Sequence, residues 1–225
     1  MSPLQRRAVQ LLVLALLQAV VLVASAGTLR WGAAWLYVGL YLGLAAVAGV
    51  VIVPRHPEVV EERSRGRAGA VGWDRRVTTA LGVASMGILV VAGLQYRCGW
   101  PPPMPAWLVA LGMVLIVCGY VLVVAAMAVN PFFAQVVRIQ TERGHVAITG
   151  GPYRLVRHPG YTGLTLSALG SALLLGSAWA LLPWACYAAL ILVRTTLEDR
   201  LLTEQLQGYA GYRRHTRYRL VPGLW

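Results

Sequence analysis

Two clusters in this 225-residue sequence carry residue types at spacings that suit chemistry. The first is GGPYRLVRHPGYTG, residues 150–163, where Arg154, Arg157, His158, Tyr153 and Tyr161 sit among prolines and glycines. Pro152 biases Gly151 away from helix and Pro159 does the same to His158. Proline is welcome at the first position of a helix, so a helix is predicted to begin at Pro159 and run into the apolar block behind it. Its N-terminal amides and positive dipole end suit a carboxylate or phosphate. Gly160, Gly163, Ser167 and Gly170 leave room along that helix for another backbone or a flat ligand.

The second cluster is LVRTTLEDRLLTEQLQGYAGYRRHTRYRLVPGLW, residues 192–225. Arg194 and Glu198 stand i,i+4 and share one helix face, with Asp199 beside them. An arginine and a carboxylate on one face, next to a histidine and a tyrosine, suit the alignment of two oppositely charged reactants. Tyr209, Tyr212, Tyr218 and Trp225 read as an interfacial tail. Cys98, Cys118 and Cys186 are far apart and show no metal or redox spacing, so no metal site is expected.

These clusters need a frame that places them together, and composition says what kind. Hydrophobic residues make up 58% of the chain and charged residues only 12%, which points to an integral membrane protein. The net charge of +12 is read as cytoplasmic basic loops rather than nucleic-acid binding. Apolar runs predict spans at about 8–26, 31–53, 77–96 and 106–129. The block 161–193 is too long for one span and predicts a tight hairpin of two short helices, each of 15 to 17 residues. The fold class expected is an all-α, polytopic transmembrane bundle of five to six spans, with residues 1–129 as an N-terminal membrane region; the family resemblance given below implies a cofactor pocket at the cytoplasmic face built by the C-terminal half, and with it a catalytic region at 130–225.

With the N-terminus inside, segments 1–7, 54–76, 130–160 and 194–225 hold 18 of the 20 basic residues, all of them arginine. All eight acids and all four histidines fall on that same side. Both termini are therefore expected in the cytoplasm and the chemistry on the cytoplasmic face; that the membrane is a bacterial inner membrane is an expectation that comes with the bacterial relatives named below. The run EVVEERSRGR within 54–76 reads as a solvated or headgroup-touching helix. GLYLG, residues 39–43, has G-x-x-x-G spacing, which packs helices either within one chain or between chains.

The motif GPYRLVRHPGYTG, the upstream VVRIQTERGHVAITG (136–150), the acidic pair Glu198-Asp199 and the ending GYAGYRRHTRYRLVPGLW together resemble the isoprenylcysteine carboxyl methyltransferases and their bacterial relatives, within a wider group that includes phospholipid N-methyltransferases. The resemblance covers about 130–225. It implies S-adenosylmethionine as methyl donor and a pocket without a Rossmann domain, in keeping with the absence of G-x-G-x-x-G. By position it implies cofactor contacts at Arg138, His145, Val146, Ala147, Ile148, Tyr153, His158, Pro159, Gly160 and Tyr161. It also implies that Glu198 is the acid holding the cofactor and that Arg194 lies on the substrate side. Asp199 stands where many relatives have Glu, a shortening expected to matter less if Glu198 carries the role.

The expected reaction is O-methylation of a lipophilic carboxylate such as an isoprenylcysteine, with the acceptor entering from the bilayer. A carboxylate is already ionised at neutral pH and needs no general base. N-methylation of a phospholipid or other lipid amine is the alternative, with His158 or Glu198 as base. A nicotinamide-dependent membrane reductase of similar architecture is a third reading, and a transporter or assembly subunit a fourth. The spans hold almost no midplane charge of the kind ion transport uses.

Overall fold

The structure is a computed structural model and describes residues 1–102 and 104–225. Among the described residues the regular elements are helices: α1 (Pro3–Ala26), α2 (Gly32–Ile52), α3 (Pro57–Ser64), α4 (Gly72–Cys98), α5 (Ala106–Val129), α6 (Pro159–Leu174), α7 (Leu181–Gln205) and α8 (Tyr209–His215). Local chemistry sets several of their ends. At α1, Ser2 and Gln5 form a reciprocal capping box with Pro3 inside it, and Gly27 closes the helix at φ 68°. Gly99 ends α4 at φ 63°. α6 starts at Pro159, with His158 held outside the helical region before it.

The all-helical expectation is borne out. Five helices (α1, α2, α4, α5 and α7) are long and apolar enough to cross a membrane, which marks a multi-pass membrane protein. α6 has only 16 residues, a reach of ~24 Å, so the hairpin is asymmetric. α7 has 25 residues, longer than the expected 15 to 17, because its apolar stretch continues unbroken into Arg194, Glu198 and Asp199. α4 likewise begins at Gly72, five residues before the expected 77, and takes Asp74 into its first turn.

The helix at 57–64 corrects one reading. It is not solely a solvated charge run: Val59, Glu62 and Ser64 are buried. Gln10 of α1 donates its side-chain amide to the Ser64 carbonyl at 3.0 Å, stapling α3 against the bundle.

The closest helix pair is α5 with α6, and glycine makes it possible. A Cβ at Gly119 would lie 2.5 Å from the Gly163 carbonyl oxygen, and one at Gly170 the same 2.5 Å from that of Gly112. The small residues of α6 thus admit a neighbouring backbone along most of the helix. By contrast, a Cβ at Gly39 or Gly43 meets nothing within 4 Å, so the GLYLG spacing plays no part in packing within the described chain. Gly170→Val should therefore destabilise the protein by about 2 kcal/mol or more, whereas Gly43→Val should stay within about 0.5 kcal/mol. Thermal unfolding in detergent, with both variants side by side, checks this contrast.

Candidate active site

The polar end of the bundle is organised around Asp199, a residue of α7 only 1% exposed. Arg157, just before α6, grips its carboxylate with two bonds, Nε to Oδ1 at 2.8 Å and Nη2 to Oδ2 at 3.0 Å. The Tyr209 hydroxyl of α8 donates to Oδ1 at 2.8 Å, and Arg219 of the tail donates through Nε to Oδ2 at 3.2 Å. Arg157 also donates to the carbonyls of Thr216 and Arg217 at 2.9 and 2.6 Å. The tail is laced to the start of α6 by the amides of Arg157 and His158, which donate to the carbonyls of Tyr218 and Arg219 at 2.9 Å each. Burying a charge is costly unless it is paired and fully hydrogen-bonded, and Asp199 meets both conditions.

Two further acids brace the loop between α5 and α6. Asp74 is fully buried, accepts from Arg194 Nε at 2.8 Å and Nη2 at 3.3 Å, and takes the Val137 amide at 2.8 Å. Glu62 receives a two-pronged contact from Arg138, at 2.7 and 2.8 Å, and Glu142 binds the same guanidinium at 2.8 Å. These bonds hold the Glu62 and Glu142 carboxyls below the usual carboxylate range.

Between these anchors lies a cleft with about 810 Å³ of empty space, part of it open to solvent. Arg138, His145, Val146, Ala147 and Ile148 line it from the α5–α6 loop, as do Tyr153, His158, Gly160 and Tyr161 from the opening of α6 and Glu198 from α7. Two of the residues singled out from the sequence do not line it. Pro159 is buried as the first residue of α6. Arg194 is buried in its pair with Asp74 and reaches the cleft only indirectly, its guanidinium 5.0 Å from the centre of the Tyr161 ring. Although Arg194 and Glu198 stand i,i+4 on α7, the guanidinium pairs with Asp74 of α4 instead.

Tyr161 donates its hydroxyl to Glu198 and stacks parallel to His158 at 5.6 Å. Among the described residues, Glu198 is the one acid of the eight without an ion-pair partner. His145 accepts the Gln140 amide on Nδ1 at 3.3 Å and sits 4.5 Å from the Phe132 ring. Burial, reinforced by Arg143 and Arg138, pulls its imidazole down to about 4, so the ring is neutral at physiological pH. In that form Nε2 carries the proton.

Several cleft residues were not picked out from the sequence. Phe132 and Phe133 form one wall, and a Cβ at Gly160 would lie 2.8 Å from the Phe133 ring. Tyr209 and Tyr212, expected in an interfacial tail, are instead buried in the wall, where Tyr212 donates to the Tyr153 carbonyl at 2.6 Å. Burial pushes the Tyr212 phenol up to about 12. Asn130 donates to the Tyr153 hydroxyl at 2.9 Å. The i,i+3 spacing of the two tail tyrosines is the only local signal that pointed inward. Asp199, read from the sequence only as the second of an acidic pair, is the structural hub of this region.

Fold and cleft together define a helical membrane protein with an aromatic-walled, acid-containing cleft at one end of its bundle. Residues 107–207 match the family model described as phospholipid methyltransferase. Over 95 residues the chain is 34% identical to proteins called probable protein-S-isoprenylcysteine O-methyltransferase in Oryza sativa subsp. indica and subsp. japonica, covering 41% of this chain and 50% of each relative. Protein-S-isoprenylcysteine O-methyltransferase A of Arabidopsis thaliana is 30% identical over 88 residues, 36% of this chain and 45% of its own length. The chain thus spans about half the length of the curated relatives it matches. The resemblance read from the motifs is borne out for this part of the chain.

Asp199→Asn should cost about 3–5 kcal/mol, because it strands the buried Arg157 guanidinium, whereas Glu198→Gln should leave unfolding nearly unchanged. Denaturation of both variants in detergent separates the hub from the cleft acid. His145 gives a pH signature. Its folded-state value lies below its unfolded value, so stability falls as pH drops from about 6.5 towards about 4. His145→Gln should flatten that part of a stability–pH profile.

Proposed function

We propose that this chain is an integral membrane methyltransferase that uses S-adenosylmethionine and delivers the methyl group to the carboxylate of a lipophilic acceptor such as an isoprenylcysteine. The observation that carries the reading is Glu198. Its carboxylate faces an aromatic cleft without a cation of its own. An ionised carboxylate so placed suits a cationic ligand, and the rings of Phe132, Phe133, Tyr153 and Tyr212 suit a flat heterocycle. When bound, S-adenosylmethionine supplies a methyl group activated by a positively charged sulfonium.

The roles of the chain's own residues follow from charge and contact. Glu198 balances positive charge in the cleft, and Tyr161 orients it through its hydroxyl. Arg194 acts as a positioning residue: Asp74 holds it, and its guanidinium rests against the Tyr161 ring. Neutral His145 offers a donor at Nε2 without adding positive charge. The apolar side chains of Val146, Ala147, Ile148, Leu202 and Leu206 limit water on their side of the cleft, which strengthens charge interactions there. An acceptor carboxylate arrives ionised and asks no proton transfer of the protein.

In this reading both termini and the cleft face the cytoplasm, the bilayer delivers the acceptor, and the location is a bacterial inner membrane. Transfer of labelled methyl from S-adenosylmethionine to a prenylcysteine analogue should give a base-labile ester. Glu198→Gln should lower that transfer on the order of 100-fold, as removal of one preorganised electrostatic contact does, while the variant remains folded. A base-stable product would point instead to a lipid amine acceptor, in line with the family description matched by residues 107–207. Absence of S-adenosylmethionine binding by calorimetry would overturn the methyltransferase reading.

A further inference from the structure

On the other side of Phe133 from the cleft lies a second concavity, walled by α1, α2, α3 and α5, with about 1020 Å³ of empty space. Its lining is apolar, with residues such as Leu4, Leu12, Leu42, Ile52 and Val59, and Leu4, Leu12 and Leu42 stand exposed at its rim. Of the lining residues only Arg7 and Arg63 are charged, and both are positive. Among the described residues neither forms an ion pair with a carboxylate. Arg7 has only the Gln10 side chain at 3.2 Å, and Arg63 rests over the Phe133 ring at 5.6 Å. Four arginines close to the cleft are, by contrast, taken by protein acceptors: Arg138 by Glu62, Arg143 by the Gln140 side chain and the Pro131 carbonyl, Arg157 by Asp199, and Arg194 by Asp74.

Two guanidinium groups at one end of an apolar groove are costly without a counter-charge. Burial, with Arg7 nearby, pulls the Arg63 guanidinium down to about 10, which leaves it charged at neutral pH. The groove opens at the polar end of α1, beside α3, where the arginine-rich segments lie. Basic pockets between membrane helices on that side suit anionic lipid headgroups.

We propose that this groove is a binding site for an anionic phospholipid of the adjoining leaflet, its acyl chain between α1 and α2 and its phosphate on Arg7 and Arg63. The site is separate from the cleft and does not depend on the reaction carried out there. Phe133 is the partition, meeting Gly160 on one side and Arg63 on the other. The phosphate would supply the anionic oxygens that neither guanidinium has among the described residues.

The full-length protein in zwitterionic detergent, titrated with phosphatidylglycerol or phosphatidylcholine and followed by thermal unfolding and native mass spectrometry, tests this. Phosphatidylglycerol should be retained and should raise the unfolding temperature, and phosphatidylcholine should do neither. Arg63→Gln and Arg7→Gln should each weaken retention about tenfold. Gly49→Leu provides a variant that keeps both charges: Gly49 lines the groove and a Cβ there meets nothing within 4 Å, so the leucine is placed to occupy groove space. It should fold normally and lose retention, while Glu198→Gln should retain the lipid fully. Equal stabilisation by phosphatidylcholine, or retention that survives both Arg63→Gln and Gly49→Leu, would overturn the proposal. So would displacement of phosphatidylglycerol by a prenylcysteine carboxylate, since the groove would then hold the acceptor.

Discussion

The carboxylate of Asp199 is the constraint on which the polar half of this molecule depends. It sits on a helix whose preceding residues are membrane-like, and it is almost completely withdrawn from water. A charge so placed must be satisfied from the protein. Arg157, Tyr209 and Arg219 come to it from the entrance of α6, from α8 and from the tail. Each arrives from a different segment, so one carboxylate determines how three segments lie against α7. The cleft is the space left between them.

The acids divide into two kinds. Asp199, Asp74 and Glu62 are consumed by arginines and hold the frame. Glu198, one residue from Asp199, points to a different face of α7 and, among the described residues, stays without an ion-pair partner. Consecutive residues on a helix diverge by about 100°, which lets one turn carry both a structural charge and a ligand-facing one. The arginines divide in the same way. Most of those near the cleft are neutralised, while Arg7 and Arg63 face an apolar groove, so the large positive net charge is not simply a topology signal.

Glycine performs the complementary task where no charge is available. In the bilayer there is no hydrophobic force between helices, and close backbone approach takes over. Gly112 and Gly119 of α5 meet Gly170 and Gly163 of α6 at backbone distance. This seam holds the short α6 in the bundle, although its 16 residues are too few to span hydrocarbon on their own. It also holds Gly160, Tyr161 and His158 at the level of the cleft.

Much of this protein was legible in its sequence. The all-helical class, the four N-terminal apolar helices and the start of α6 at Pro159 follow from patterns that act over a few residues: apolar run length and proline geometry. The residues from Arg138 to Glu198 that share the cleft were also legible, through motifs that travel together. What only the tertiary structure decided is pairing over long separations. That Arg194 answers to Asp74 rather than Glu198, that Arg138 answers to Glu62, that Tyr209 turns inward to Asp199 and that Tyr212 turns inward to the Tyr153 carbonyl depend on which acceptor lies nearest once the helices are packed. Sequence spacing records neighbours along one helix face. It carries no record of a partner brought in from another helix, and in a low-dielectric interior that partner determines whether a charge holds the frame or faces a ligand.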